Sequence, residues 1–68
     1  MREARKGDRV AIKKGAFEGW FGTVIDTFRA EPQYFLVGFR GGIYLKMNMD
    51  VLDPISEEEF LVGEVMSS

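Results

Sequence analysis

The chain of 68 residues contains neither cysteine nor histidine. Without cysteine it has no disulfide and no thiolate ligand for a metal ion. Without histidine it lacks the commonest general base and the commonest metal-ligating side chain. Its serines all lie beyond residue 55, where no histidine is available to activate them as nucleophiles. These absences predict a protein that is not an enzyme and that requires neither a cofactor nor a metal ion.

Long apolar runs are missing as well. No stretch approaches the roughly 20 apolar residues that a membrane-spanning helix needs. The basic residues near the N-terminus are not followed by the hydrophobic region of a secretory signal. We therefore expect a cytoplasmic protein. A chain this short forms one small domain and buries only about 60% of the surface that it exposes when unfolded.

A strand, a glycine-containing turn and a second strand are predicted near the N-terminus. Residues 8–14 have a period of two, with Val10 and Ile12 on one face and Arg9, Ala11 and Lys13 on the other, which is typical of a half-buried strand. Gly15 and Gly19 suit turn positions with positive φ or a sharp bend. Gly22 lies inside the second predicted strand, residues 21–28, and suits a bulge or a close approach of two backbones.

Three further strands are predicted at 33–39, 43–46 and 51–52. The first of them is rich in aromatic and branched side chains. Residues 40–42, Arg-Gly-Gly, are typical of a tight hairpin turn because paired glycines allow positive φ angles. The second strand of the chain would place Asp26 on an apolar face, so we expect a bulge near Gly22 or a strand end near Asp26.

The first turn and its flanking strands resemble the KOW motif. The matching residues are Gly7-x-x-Val10-x-Ile12-x-x-Gly15-x-Phe17-x-Gly19-x-x-Gly22-x-Val24. This motif occurs in the C-terminal domain of the NusG transcription factors and in ribosomal proteins. The family fold is a small five-stranded SH3-like barrel. The resemblance therefore implies an all-β KOW barrel within residues 1–54, with one helical turn at 47–50.

The resemblance also implies non-catalytic binding in transcription or translation. In NusG-type domains, residues at the places of Phe17, Trp20 and Phe39 form an apolar patch. That patch engages protein partners such as a ribosomal protein or the termination factor Rho. We therefore expect partner binding at these three residues and at Arg40, which lies on the neighbouring turn. Phe17 and Phe39 would serve equally well as core residues, which a small barrel needs.

A second predicted surface is basic, and RNA is the alternative partner. Residues 1–14 carry a net charge of +4. In ribosomal KOW proteins, basic side chains at such places contact the RNA backbone. Basic side chains beside an aromatic ring that can stack on a nucleobase are typical of proteins that bind single-stranded nucleic acid. The net charge of −2 for the whole chain argues against this function. The candidate RNA-binding residues are Arg5, Lys6, Arg9, Lys13 and Lys14.

The C-terminal residues 55–68 are predicted to form an acidic extension beyond the barrel. Residues 53–68 carry a net charge of −5. Ser56 and Glu59 have the spacing of a capping box, which predicts one or two helical turns at 57–62. Charge asymmetry suggests that this extension folds over the basic strand and competes there with a polyanion.

Two other functions remain open, although we expect a monomer rather than a homo-oligomer. The type II dihydrofolate reductases are SH3-like chains of similar length that build one active pore from four copies. The residues Gly7-Asp8-Arg9-Val10, Trp20 and Ile43-Tyr44 are faintly similar to their pattern, but the glutamine before their Ile-Tyr pair is Gly42 here. The barrel could also serve as the docking module of a subunit in a larger assembly.

Overall fold

Five antiparallel strands form one sheet in the computed structural model, which describes residues 5–67 apart from the side chains of Glu64 and Ser67. The strands are β1 (Arg9–Ile12), β2 (Phe21–Thr27), β3 (Tyr34–Phe39), β4 (Ile43–Asn48) and β5 (Leu52–Pro54). Their order in the sheet is β4-β3-β2-β1-β5. A short 3₁₀ turn, Met49–Val51, joins β4 to β5, and the helix α1, Glu57–Ser67, follows. The predicted all-β fold with five strands is confirmed, and the sheet is not closed.

Alternate side chains of the strands build the core. In β3, Phe35, Val37 and Phe39 are buried and the residues between them are half-buried. In β1, Val10 and Ile12 are buried in the same way. This is the period-2 pattern that the sequence predicts. The buried core cluster consists of Val10, Ile12, Val24, Phe35, Val37, Phe39 and Leu52.

A β-bulge at Ile25 turns Asp26 away from the core. The pairing of β2 with β3 shifts there, from Val24 opposite Val37 to Asp26 opposite Leu36. The extra residue reverses the alternation, so that Asp26 is exposed. The predicted irregularity is therefore present, but it lies at Ile25 rather than near Gly22, and the strand continues past Asp26 to Thr27.

The expected close approach of two backbones occurs at Gly22. A Cβ atom there would lie 2.9 Å from the carbonyl oxygen of Gly38 and 2.9 Å from Cγ1 of Val37. Only glycine therefore fits between β2 and β3 at this point.

Two glycine-containing turns lie at the ends of the strands that carry the aromatic residues. Gly15 and Gly19, between β1 and β2, have φ angles of 95° and 91°. Gly41 and Gly42, between β3 and β4, have φ angles of 90° and 82°. Other residues rarely adopt such angles, which explains why glycine occupies the four positions. The predicted hairpin at residues 40–42 is confirmed.

The C-terminal segment forms a longer helix than the sequence predicts. α1 begins at the expected capping box, in which the Glu59 amide donates to Ser56 Oγ (3.0 Å) and the Ser56 amide donates to Glu59 Oε1 (3.2 Å). The predicted helix ends at residue 62, just before Gly63, but α1 continues through this glycine to Ser67. Gly63 instead lies against the ring of Phe21, where an added Cβ would be only 2.1 Å from Cε2. This glycine lets α1 approach β2 closely.

Candidate functional site

Three aromatic side chains from the two glycine-containing turns are in contact. The ring centroids of Phe17 and Trp20 are 4.8 Å apart, and those of Trp20 and Phe39 are 5.4 Å apart. Both pairs have edge-to-face geometry, with interplanar angles of 69° and 80°, which is favourable for aromatic rings. The structure therefore brings together the three aromatic residues singled out from the sequence.

The three rings differ in exposure. Phe39 is 7% exposed and belongs to the core, and Phe17 is half-buried against that core. Trp20 is 40% exposed. Of the three, Trp20 alone presents a large surface to a partner, and the two phenylalanines support its ring.

Hydrogen bonds to β1 fix the backbone on both sides of Trp20. The Ile12 amide donates to the Trp20 carbonyl (2.8 Å), and the Gly19 amide donates to the Ile12 carbonyl (2.8 Å). The Trp20 amide donates to the Phe17 carbonyl (3.0 Å). Because both the backbone and the ring of Trp20 are held in place, binding a partner would cost little additional conformational entropy at this residue.

A groove of about 260 Å³ lies beside Trp20. Its lining is mainly apolar and comes from both turns and from α1. Arg40, predicted to bind a partner, lies at this groove and is exposed. The lining residues are Gly19, Trp20, Phe21, Phe39, Arg40, Ile43 and Gly63.

Four residues of this groove are not among the predicted site residues: Gly19, which is predicted only as a turn residue, and Phe21, Ile43 and Gly63. The hairpin register gives a usable signal for Ile43, because it is the partner of Phe39 across the Arg-Gly-Gly turn. No comparable signal exists for Phe21 and Gly63. They meet only because α1 folds back onto β2, which cannot be read from local sequence patterns.

The basic residues predicted to bind RNA are divided between the two ends of β1. Arg5 and Lys6 precede the strand, and Lys13 and Lys14 follow it. β1 spans roughly 13 Å, at about 3.3 Å per residue. These four side chains are exposed. Only the second pair lies at the end of β1 from which the turn carrying Trp20 begins.

Arg9, the fifth basic residue predicted to bind RNA, contacts α1. Its guanidinium forms an ion pair with the carboxylate of Glu57, 2.8 Å from Nε to Oε2, and also donates to the hydroxyl of Thr23. The Cζ atom of Arg9 lies 4.1 Å from the centroid of the Phe60 ring. The hydrogen bond from Arg9 lowers the pKa of Glu57. The acidic extension therefore does lie against β1, as the charge distribution suggests.

Within residues 5–67, the structure contains no cluster of three or more acidic side chains that could hold a metal ion. In the same part of the chain, no helix has the length and apolarity needed to cross a membrane.

No protein-family model matches the chain, and a search among curated proteins found no relative.

Proposed function

We propose that this protein is a non-catalytic binding module that engages a protein partner through its aromatic rim, defined as Phe17, Trp20, Phe39 and Arg40. One observation carries the proposal. The ring of Trp20 is 40% exposed, yet it is held by two other rings at the edge of an apolar groove. An exposed tryptophan that is already ordered beside a pocket is typical of the residues that dominate binding energy at interfaces.

The groove provides an apolar pocket next to the exposed ring of Trp20. Phe21 and Ile43 line it, so an apolar side chain of a partner could be desolvated there beside Trp20. Arg40 at the groove adds a polar group at its margin. An apolar centre with a polar margin is the usual arrangement of such interfaces. The KOW resemblance favours a partner from transcription or translation.

A matched pair of variants tests the proposal. Trp20→Ala removes the exposed ring at the groove, whereas Ile25→Ala removes an apolar side chain of similar exposure, 38%, that does not line it. Proteins captured by the unaltered chain should be lost with Trp20→Ala and retained with Ile25→Ala. Both variants should still unfold cooperatively, since neither side chain belongs to the buried core. Equal capture by both variants would exclude the aromatic rim as the binding surface.

RNA is the second candidate ligand. Lys13 and Lys14 follow β1 directly and lead into the turn that carries Trp20. Two basic side chains and an aromatic ring that can stack on a nucleobase therefore occur in one part of the surface. Mixed-sequence single-stranded RNA, titrated at low and moderate salt, tests this function through the fluorescence of Trp20. Saturable quenching that weakens steeply with salt would indicate stacking and phosphate contacts. Unchanged fluorescence at both salt concentrations would leave the protein partner as the better proposal.

A further inference from the structure

The outer edge of β4 is open in the described part of the chain. β4 lies at one end of the sheet order and pairs with β3 alone, over six residues in continuous register without a bulge. The opposite edge, β5, has three residues and ends in Pro54, which has no amide hydrogen to donate. Among the strands of residues 5–67, β4 alone therefore offers a regular row of backbone groups to another strand.

The ladder geometry shows which backbone groups point outward. The Met49 amide donates to the Gln33 carbonyl at 2.8 Å. In an antiparallel pair, hydrogen-bonded positions recur at every second residue. Ile43, Leu45 and Met47 are thus bonded to β3. The amide and carbonyl groups of the residues between them, Tyr44 and Lys46, point away from it.

The sequence of β4 is complementary to itself about Leu45. Ile43, Leu45 and Met47 share the core-facing side of the strand, and the latter two pack against the core. Tyr44 and Lys46 lie on the other side. When an antiparallel copy places Leu45 opposite Leu45, Ile43 meets Met47 on one side of the sheet. On the other side, Tyr44 meets Lys46 of the second copy.

We propose that two copies of this chain associate through antiparallel pairing of their β4 strands, centred on Leu45. The outward groups of Tyr44 in one copy and Lys46 in the other then hydrogen-bond each other, twice by symmetry. The charge pattern favours this register, because a slip that places Lys46 opposite its own copy opposes two like charges.

Lys46 is held in a position suited to this pairing. Its Nζ lies 2.7 Å from Glu31 Oε1 and 4.9 Å from the centroid of the Tyr34 ring. These contacts fix Lys46 along the outer face of its own sheet. Its charge therefore does not swing across the free edge, as an edge-blocking lysine would. The association does not involve Trp20 and does not depend on the binding function proposed above.

Light scattering and sedimentation of the full chain from micromolar to millimolar concentration test the association. The mass should rise from 7.7 kDa towards twice that value. Tyr44 is 60% exposed, so its replacements should fold. Tyr44→Lys places like charges opposite each other in both symmetric pairs and should weaken association by about tenfold. Tyr44→Glu places an opposite charge across from Lys46 in both symmetric pairs and should preserve or strengthen association.

Hydrogen exchange identifies the interface directly. The amides of Tyr44 and Lys46 should become protected as the concentration of the unaltered chain rises. Val65→Lys, on the exposed face of α1, serves as a control that leaves association unchanged. A chain that stays monomeric at millimolar concentration would refute the proposal. Equal effects of the two Tyr44 variants, or loss of association in Val65→Lys, would refute it as well.

Discussion

The guanidinium of Arg9 and the carboxylate of Glu57 form a two-point ion pair that joins the first strand to the C-terminal helix. Nε lies 2.8 Å from Oε2, and Nη2 lies 3.0 Å from Oε1. Phe60, one turn further along α1, is buried beneath the same guanidinium. The planar guanidinium can bind the Glu57 carboxylate through two N–H groups and stack on the Phe60 ring at the same time, which a lysine could not reproduce. Arg9 therefore contributes to docking the helix, and its charge is already partly satisfied.

The first prediction concerns the release of α1 in acid. The hydrogen bond from Arg9 lowers the pKa of Glu57 below its ordinary value of 4.5. Because the folded pKa is the lower one, the pair stabilises docking above the unfolded pKa. That contribution is lost as the pH falls through the folded pKa. We expect contacts between α1 and the sheet to weaken below about pH 4.5, which NMR shifts of Gly63 and Phe21 would report.

Arg9→Ala provides the control for this titration. In that variant the carboxyl of Glu57 should titrate at a higher pH than in the unaltered protein, because the donor that favours its charged form is gone. Identical titration curves for Glu57 in the two proteins would contradict the assigned cause.

The second prediction concerns the tight contact at Gly22. Gly22→Ala places a methyl group 2.9 Å from the backbone oxygen of Gly38, so the two strands must separate. We expect a loss of about 1–3 kcal/mol in the free energy of unfolding, measured in urea. At Gly38, the three atoms nearest to an added Cβ belong to the exposed side chains of Ile25 and Tyr44. Those side chains can rotate, so the loss for Gly38→Ala should be smaller. An equal or larger loss for Gly38→Ala would contradict this account.

Local patterns explain how much of this fold is predictable from sequence. Val10 and Ile12 recur with a period of two, and Gly41 and Gly42 have positive φ angles. The strands and the hairpin therefore follow from rules that act over a few residues. The bulge at Ile25 is indicated only indirectly, by a charged residue in an apolar position. Its place depends on the pairing of β2 with β3, which joins residues distant in sequence.

In the candidate site, too, some features are predictable from local sequence and others depend on contacts between residues distant in sequence. Trp20 can be singled out because a large ring next to a turn glycine is poorly suited to the core. The groove beside it depends on the docking of α1, and therefore on contacts between Gly63 and Phe21 that no local pattern encodes. The capping box at Ser56 predicts where the helix starts. It does not predict that the helix passes through Gly63, since an isolated glycine within a helix is unfavourable by about 1 kcal/mol relative to alanine.

The third prediction follows from that contact. In most helices, replacing an interior glycine by alanine increases stability by about 1 kcal/mol. Here the new methyl group would overlap the ring of Phe21, 2.1 Å from Cε2. Gly63→Ala should therefore weaken the docking of α1, and hydrogen exchange of the α1 amides should accelerate. Val62→Ala, at the adjacent exposed position, is the matched control and should leave exchange nearly unchanged. Slower exchange in Gly63→Ala would show that intrinsic helix propensity outweighs this contact.

The fourth prediction separates a local RNA site from general charge attraction. Lys13→Ala/Lys14→Ala and Arg5→Ala/Lys6→Ala each remove two positive charges, but only the first pair lies at the end of β1 leading to Trp20. If RNA stacks on Trp20, the first variant should reduce the salt dependence of binding, with a log–log slope shallower by about 1.4 for two lost phosphate contacts. The second variant should change that slope little. Equal changes in the two variants, measured by Trp20 fluorescence over a salt series, would instead indicate that net charge alone governs RNA binding.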